Sequence, residues 1–228
     1  MKIFGAVLFI LGFLSAQPFN FDAGNNDCDS GNYVKSIITS SSLWSTSSPL
    51  VHPMTKSRLI FQAGLSFFNK NSCGKYWIYP NFDIAYKVTK NLALTSKIFG
   101  LTEESDSPQV LGGGIEYYFG SSDTLNWSTG IQRVDLKGLK DFRLTSLNIN
   151  LYRWISLYKL KIRIGAGSNF FKEKSYFNNE EIPLRMEGQI NYFGADILFI
   201  NNIIIFGCNS RINPEKTIIN IFLQKEIF

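Results

Sequence analysis

Histidine and cysteine are scarce in this chain, which contains one His and three Cys among 228 residues. The cysteines form no CxxC pair, and the single His52 is remote in sequence from two of them, so no metal-ligand spacing is present. Motifs of the GxSxG, HExxH and Walker types are also missing. His52 precedes a proline and is better explained by a turn than by a catalytic triad. We therefore expect no enzyme, no cofactor and no metal site.

Long apolar runs are missing as well. Beyond residue 16, no segment approaches the roughly 18 apolar residues that a membrane-spanning helix needs. Residues 1–16 combine Lys2, the apolar run Ile3–Leu14 and the small pair Ser15–Ala16, which predicts a secretory signal peptide. If the rest of the chain enters a membrane, it must do so with strands.

What the chain has instead is a series of short strand-like segments. Their connections alternate between long and short, which is typical of an up-and-down antiparallel barrel that crosses a membrane. We predict an all-β fold of about ten strands, with 8–12 compatible with the pattern. The predicted strands are 59–68, 76–88, 91–99, 110–119, 124–134, 142–154, 158–169, 186–199, 203–211 and 217–228.

Within these strands the side chains alternate with a period of two. In the seventh, Leu160, Ile162 and Ile164 share one face, while Lys161 and Arg163 share the other. A soluble barrel or sandwich would show the same period with its apolar face inward. The charges mixed with Gly, Asn and Gln on the polar face favour a polar lumen and a lipid-facing apolar side. The predicted lumen-lining residues are Asp83, Lys87, Lys97, Glu116, Lys161, Arg163, Glu187 and Arg211.

Aromatic residues are frequent near the predicted strand ends, where two interfacial girdles would need them. The simpler explanation is that Phe and Tyr are good strand formers. The candidates for the girdles are Tyr86, Phe99, Tyr117, Tyr118, Phe119, Phe142, Tyr152, Trp154, Tyr158, Phe170, Phe171, Tyr192 and Phe199.

Three regions follow from these patterns: a signal peptide at 1–16, an N-terminal region at 17–57 and a barrel at 58–228. The N-terminal region is rich in Ser and is compatible with a periplasmic arm, a lumen plug or an extra hairpin built on Tyr33–Thr39, in that order of preference. Cys28 and Cys73 both stand in polar, loop-like sequence and are the plausible disulfide pair in an oxidising compartment, with free thiols as the alternative. An arm that starts in the periplasm would have to thread the lumen to reach Cys73. Cys208 is expected to pack as a small apolar residue.

Charge is modest and diffuse. The formal net charge of +5 is compatible with anionic lipid head groups but not with a nucleic-acid footprint. Glu103, Glu104 and Asp106 cluster between the third and fourth strands, where flanking Ser and Pro indicate a solvated loop rather than a cation site.

The chain resembles the bacterial outer-membrane β-barrel proteins as a class, through the signal peptide, the segment Asn91–Gly100 after a tight turn, and the terminal Phe228. The resemblance covers about three-quarters of the chain and concerns the fold, not one functional family. It implies an outer-membrane location, outer-membrane lipid as surroundings and recognition of Phe228 by the barrel-assembly machinery. A bulge near Gln224–Glu226 would give Phe228 the parity of the apolar residues before it.

The sequence indicates the barrel fold more clearly than the function of the protein. We expect a structural or partner-binding barrel with a largely closed lumen, which presents the long segment Phe170–Arg185 to an extracellular or periplasmic protein partner. The alternative is a narrow channel for small solutes with a weak anion preference. An outer-membrane enzyme is the weakest reading, because outer-membrane phospholipases, lipid A deacylases and omptin proteases all use a strand-borne His.

Overall fold

A computed structural model describes residues 30–68, 78–100, 107–121, 124–176, 184–201 and 204–227, with the side chains of 30–33 left out. It contains one helix, α1 (Ser30–Trp44), followed by ten strands. The strands are β1 (Leu59–Phe68), β2 (Ile78–Thr89), β3 (Leu92–Gly100), β4 (Gln109–Phe119), β5 (Trp127–Lys137), β6 (Phe142–Leu157), β7 (Leu160–Ser175), β8 (Arg185–Phe199), β9 (Ile205–Ile212) and β10 (Thr217–Ile227).

The strands form a closed antiparallel barrel in which each strand pairs with its neighbours in sequence and β1 pairs with β10. This confirms the predicted fold. Closure joins β1 to β10, so the sheet has no free edge strand, as a structure in hydrocarbon requires. The longer strands β2 and β8 extend beyond their partners at the loop end. The β1–β10 register runs without interruption from Leu59↔Ile227 to Phe68↔Ile218, so the bulge expected at Gln224–Glu226 is not present. Phe228 itself lies outside the described residues.

The two ends of the barrel differ in their connections. We call the end with the two-residue turns β2–β3 and β6–β7 the turn end, and the opposite end, which carries the connections 69–77, 101–108 and 176–184, the loop end. The alternation of long and short connections is less strict than expected. Strand β5 begins later, at Trp127, which lengthens the β4–β5 connection. It also ends later, at Lys137, which shortens the β5–β6 connection to Gly138–Asp141. Strand β7 continues to Ser175, so most of the charged segment after Phe170 belongs to the wall and not to a loop.

The outer surface carries an apolar belt. In β4, β6 and β8, the residues Leu111, Ile149 and Phe193 are 45–66% exposed. Further exposed apolar residues on the same faces are Ile115, Leu147 and Ile197. Eleven residues of a strand tilted by about 40° rise roughly 25 Å, which matches the apolar band of a membrane barrel. Among the described residues, no helix is long and apolar enough to cross a bilayer.

Aromatic residues form a girdle on the outside of the turn end. The rings of Tyr117, Phe119 and Trp127 stack in a row with centroids 6.3 and 6.4 Å apart. The girdle prediction is wrong for about half of its members, because their parity turns them into the lumen, where large rings fill space. These inward aromatics are Phe99, Tyr118, Phe142, Tyr152, Trp154, Phe171 and Tyr192.

The region before β1 runs through the inside of the barrel. Helix α1 packs at the loop end, in a cluster where Ile37 and Ile38 meet wall residues such as Phe99 and Phe142. From the end of α1 the chain runs through the lumen toward the turn end, where Val51 packs against Tyr118. Residues 34–53 therefore lie in the lumen as a plug would, whereas Met54 and Lys56 are exposed at the turn end. The hairpin on Tyr33–Thr39 is not formed, because these residues are helical. A periplasmic arm does not describe residues 34–53, because the wall encloses them.

Candidate functional site

The candidate site is the filled lumen, and its upper part is the apolar face of α1. Val34, Ile37 and Ile38 are fully buried against inward side chains of the wall. At the rim of the loop end, Lys216 Nζ donates a hydrogen bond to Ser36 Oγ over 2.7 Å. Burial of three aliphatic side chains stabilises such a contact by about 1.5–3 kcal/mol each, so the helix is held chiefly by apolar packing.

Below the apolar face, a run of serines replaces large side chains. Asn169 Nδ2 donates to the backbone oxygen of Ser42 at 2.9 Å and to its Oγ at 2.7 Å. The hydroxyls of Ser45 and Ser146 are 2.6 Å apart, and Ser47 Oγ donates to Asn81 Oδ1 at 3.0 Å. These bonds reach β2, β6 and β7, so the small residues let the segment approach several sides of the wall at once. Each neutral bond contributes only about 1 kcal/mol.

At the turn end, backbone groups of the segment meet the wall. Leu50 N–H donates to Gln62 Oε1 at 3.2 Å. Lys87 Nζ donates to the carbonyl oxygens of Pro53 and of Thr55, the latter at 2.9 Å. Thr55 Oγ1 donates to Glu226 Oε2 at 2.5 Å. The ammonium group of Lys87 on β2 thus supplies hydrogen bonds to two carbonyl oxygens that lie outside any helix or strand. Buried backbone carbonyls need such partners.

A buried network of opposite charges lies on the wall beside the segment. Arg163 donates to Asp196 over 2.6 Å and to Glu116 over 2.9 Å, and Arg211 donates to the second oxygen of Asp196 over 2.5 Å. Both guanidinium groups also lie over the ring of Tyr152, with centroid distances of 4.3 and 5.4 Å. Two cations and two carboxylates neutralise one another, so the network gives the lumen no charge preference.

A second ion pair links the wall to the helix. Lys97 Nζ lies 3.1 Å from Asp83 Oδ1, donates to Asn81 Oδ1 at 2.7 Å and lies 5.3 Å from the centre of the Trp44 ring. Asn81 Oδ1 therefore accepts from both Lys97 and Ser47 of the segment. The side chain of Asn81 therefore connects Ser47 of the segment to the buried ammonium group of Lys97.

The structure places six of the eight predicted lumen residues in buried positions on the inner face: Asp83, Lys87, Lys97, Glu116, Arg163 and Arg211. Lys161 is only partly buried, close to the turn end of β7. Glu187 is a wrong prediction: it lies on the outer face of β8, where it pairs with Lys172 at 3.1 Å. The error is one of parity, because in β8 the even-numbered residues from Met186 to Leu198 face inward.

Sequence reasoning missed several residues that organise the site. Asp196 joins both arginines, and its signal was a lone carboxylate between Ala195 and Ile197 in the alternating pattern of β8. Asn169 has no sequence signal for a role, and only the position of Ser42 shows one. Some inward glycines face aromatic rings: a Cβ on Gly207 would meet Phe222 Cζ at 2.1 Å.

His52 contacts a serine but not in the manner of a catalytic pair. Its Nε2 lies 3.2 Å from Ser156 Oγ, and its Nδ1 accepts the Met54 N–H at 3.3 Å. The proton of the neutral ring is therefore on Nε2, which donates to Ser156 and cannot take a proton from it. Burial, with smaller effects of Lys161 and Lys87, lowers the pKa of His52 from 6.5 to about 4. The ring also meets Trp154 edge to face at 5.2 Å.

The remaining sequence candidates give no further site. Cys28, Cys73, Glu103, Glu104 and Asp106 lie outside the described residues. Cys208 is a free thiol on the outer face of β9, partly exposed. Within the described part of the chain, no group of three His, Cys, Asp or Glu residues could hold a metal.

Comparisons with known proteins agree with the fold. No protein-family model and no curated protein matches the sequence. Among solved structures, the chain is similar to the translocator domain of the autotransporter NalP from Neisseria meningitidis, at 9% identity and a TM-score of 0.41, with 76% of this chain and 89% of that one covered. It is also similar to Ail, the attachment invasion locus protein of Yersinia pestis, at 11% identity and a TM-score of 0.26, with coverages of 75% and 98%.

A third similar structure is the Ralstonia pickettii toluene transporter TbuX, at 10% identity and a TM-score of 0.31, with 78% of this chain and 91% of that chain covered. These proteins are outer-membrane β-barrels, and the resemblance is one of fold. The closed ten-stranded barrel of the structure bears out the fold class predicted from the sequence.

Proposed function

We propose that this chain is an outer-membrane barrel that is closed by its own residues 34–53 and acts by binding a partner rather than by passing solutes. The observation that carries this proposal is the complete burial of Ile37, Ile38, Leu43, Leu50 and Val51 inside the wall. A segment that packs near both ends of the lumen supports a closed barrel. The apolar belt and the aromatic girdle support insertion in a membrane, with the loop end outside.

Ion conductance tests the closed lumen. The refolded protein is expected to give no stable single-channel current in a planar bilayer, whereas removal of residues 17–57 is expected to open one. Because the shortened chain can fail to refold, a double variant S45C/S146C provides a second test, since the two hydroxyls are 2.6 Å apart. Its oxidised form is expected to stay silent, with S45C alone as the matched control. A steady current through the oxidised form would contradict the proposal.

The narrow channel remains a second candidate, because the lower part of the segment is held by neutral serine bonds of modest strength. It predicts brief currents from the unmodified protein that disappear when the S45C/S146C bridge forms and return on reduction. This outcome would favour a displaceable plug over a permanent one.

The partner surface is proposed at the loop end. There, Tyr176 and Leu184 are 49% and 71% exposed at the two ends of the β7–β8 connection. A photo-crosslinking residue at Tyr176 in intact cells is expected to capture a defined protein adduct, whereas the same residue at Ile149 in the apolar belt should not. Repeated absence of an adduct at 176 would leave partner binding without support.

Recovery in the outer-membrane fraction after carbonate washing, with a heat-modifiable band on gels, tests the proposed location. A soluble periplasmic monomer would contradict it.

A further inference from the structure

A patch of basic residues covers the outer surface of β5–β8 at the loop end, just beyond the apolar belt. Arg143 lies directly opposite Lys174 in the β6–β7 register, and Lys174 lies opposite Arg185 in the β7–β8 register. Lys137 ends β5 one residue after the Leu136↔Leu144 pair and continues the row. We call Lys137, Arg143, Lys174 and Arg185 the basic row.

This arrangement is unfavourable in the protein alone. Directly opposed side chains have Cβ atoms about 5 Å apart, and like charges in such positions destabilise a sheet. Basic residues nearer the apolar belt on the same strands are instead neutralised by carboxylates. Lys172 pairs with Glu187 at 3.1 Å, and Arg133 pairs with Asp135 at 3.4 Å. Among the described residues, the four members of the basic row have no carboxylate partner.

The position of the basic row relative to the membrane is set by the strands. Leu147 and Phe170, paired across β6 and β7, are the last exposed apolar residues of the belt in this direction. Arg143 and Lys174 follow four residues later on the same face, about 13 Å along the strand and about 10 Å along the membrane normal. Charged groups at that height meet the head groups of the outer leaflet.

We propose that the basic row binds the phosphate groups of a phosphorylated glycolipid in the outer leaflet. Guanidinium groups bind phosphate through two parallel hydrogen bonds, and an ammonium group adds a strongly hydrated point charge. A phosphate between Arg143, Lys174 and Arg185 relieves their mutual repulsion, while the acyl chains of the same lipid lie along Leu147 and Phe170. The inference rests on the proposed orientation, with the loop end in the outer leaflet.

The test uses the full-length protein in phosphatidylcholine nanodiscs, after a heat-modifiable band has shown that the barrel is inserted. Nanodiscs with and without diphosphorylated lipid A are compared by native mass spectrometry. The variant R143Q/K174Q/R185Q is expected to retain lipid A at least about 10-fold less well, since each basic group near a phosphate contributes about 1 kcal/mol. The control K56Q/R58Q/K159Q removes the same charge from exposed positions at the turn end and should bind as the unmodified protein does.

Stability separates a ligand site from a structural role. In phosphatidylcholine nanodiscs without lipid A, the basic-row variant is expected to unfold at the same temperature as the unmodified protein or higher, because the loss of repulsion among the opposed cations outweighs the loss of the exposed contact between Lys174 and the Tyr176 ring. With lipid A present, only the unmodified protein and the control should gain stability, and the gain should fall with salt.

Other outcomes would overturn the inference. They are equal retention of lipid A by the basic-row variant, equal retention of dephosphorylated lipid A by the unmodified protein, displacement by millimolar inorganic phosphate, and tighter row-dependent binding of heparin than of lipid A. Failure of the barrel to insert would instead contradict the proposed membrane location, and the gel assay detects it separately.

Discussion

At the scale of single residues, the lumen is governed by how buried charges are paired. Arg163 has two carboxylate partners and almost no exposed surface, whereas Arg133 pairs with Asp135 while its side chain is 66% exposed. A buried pair costs desolvation when it forms, but breaking it leaves a charge without compensation. The two arginines therefore give a direct comparison within one barrel.

Replacement of Arg163 by Met is expected to lower the free energy of unfolding by about 3–5 kcal/mol, because Glu116 and Asp196 would lose their cation. Replacement of Arg133 by Met should cost less than about 1 kcal/mol, since exposed pairs contribute little. Urea unfolding of both variants, followed by Trp fluorescence in the same lipid, measures the difference. Equal effects would show that the buried network is not the stabilising element described here.

His52 makes the turn end sensitive to acid. Its pKa of about 4 in the folded chain lies below the ordinary 6.5, so the unfolded chain binds more protons between these values. The stability from the neutral ring is complete above pH 6.5 and is lost as the pH falls toward 4, by up to about 3 kcal/mol. Protonation would turn Nδ1 from an acceptor into a donor facing the Met54 N–H.

The measurement for His52 is the difference between the unmodified protein and H52Q in free energy of unfolding, at pH 7.5 and pH 5. The difference should shrink at the lower pH, because only the unmodified protein loses this contribution. An unchanged difference would contradict the assignment. Carboxylates titrate in both proteins and cancel in the comparison.

At the scale of elements, several wall glycines lie beneath aromatic rings that come from one or two strands away. A Cβ at Gly165 or Gly194 would collide with Tyr152, and one at Gly207 would collide with Phe222. The rings close over the glycines and bring β6–β8 and β9–β10 close to their neighbours. Large inward aromatics are therefore matched to glycine positions across the strands.

Gly207→Ala is expected to destabilise the barrel by about 1–3 kcal/mol through overpacking. Phe222→Leu in the same chain should recover part of that loss, because the smaller side chain frees the space. Gly113→Ala is the matched control, since nothing lies within 4 Å of a Cβ there. Thermal unfolding of the unmodified protein, the two single variants and the double variant measures the coupling, with G113A beside them as the control. Additive effects of the two substitutions would show that glycine and ring do not share this space.

The elements also show what sequence could predict and what it could not. The bounds of β1 match the prediction, because its residues alternate regularly. Strand β10 begins at Thr217 as predicted and is described as far as Ile227. The end of β7 was missed because Lys172, Glu173 and Lys174 read as a solvated loop, although Phe142–Thr145 supplies a pairing partner. Glu187 was misplaced for a related reason: a charge suggests the lumen until its parity with Gln189 and Asn191 is compared.

The helix α1 was beyond local reasoning. Its serines Ser40–Ser42 favour turns in isolation, and its apolar face is short. Enclosure changes the balance, since a helix satisfies its own backbone groups where the lumen offers few partners. The choice among a periplasmic arm, a lumen plug and an extra hairpin therefore depended on the enclosure of this segment by the barrel, which local sequence does not show.

At the scale of the whole molecule, the path of the N-terminal segment bears on the predicted disulfide. Ser30 begins α1 at the loop end, and the β1–β2 connection between Phe68 and Ile78 is at the same end. The segment thus threads the lumen in the way that a Cys28–Cys73 bond would require. The bond itself stays a prediction, as neither cysteine lies within the described residues.

Intact mass of the protein isolated without reductant is expected to be about 2 Da below the reduced mass, with Cys208 still open to alkylation. C28S and C73S should each abolish the difference, and C208S should not. Peptide mapping identifies the pair. Three alkylated thiols in the freshly isolated protein would contradict the prediction.

The enclosed segment also has a consequence for the order of assembly. Residues 34–53 shortly precede β1, and the ring is closed where β1 meets β10, the first strand and the last. Threaded connections are essentially absent from protein folds, so we expect the wall to form around this segment while the β1–β10 seam is still open. On this expectation the strands form around the plug as their core, and the pairing of β1 with β10 is the step that finally encloses it.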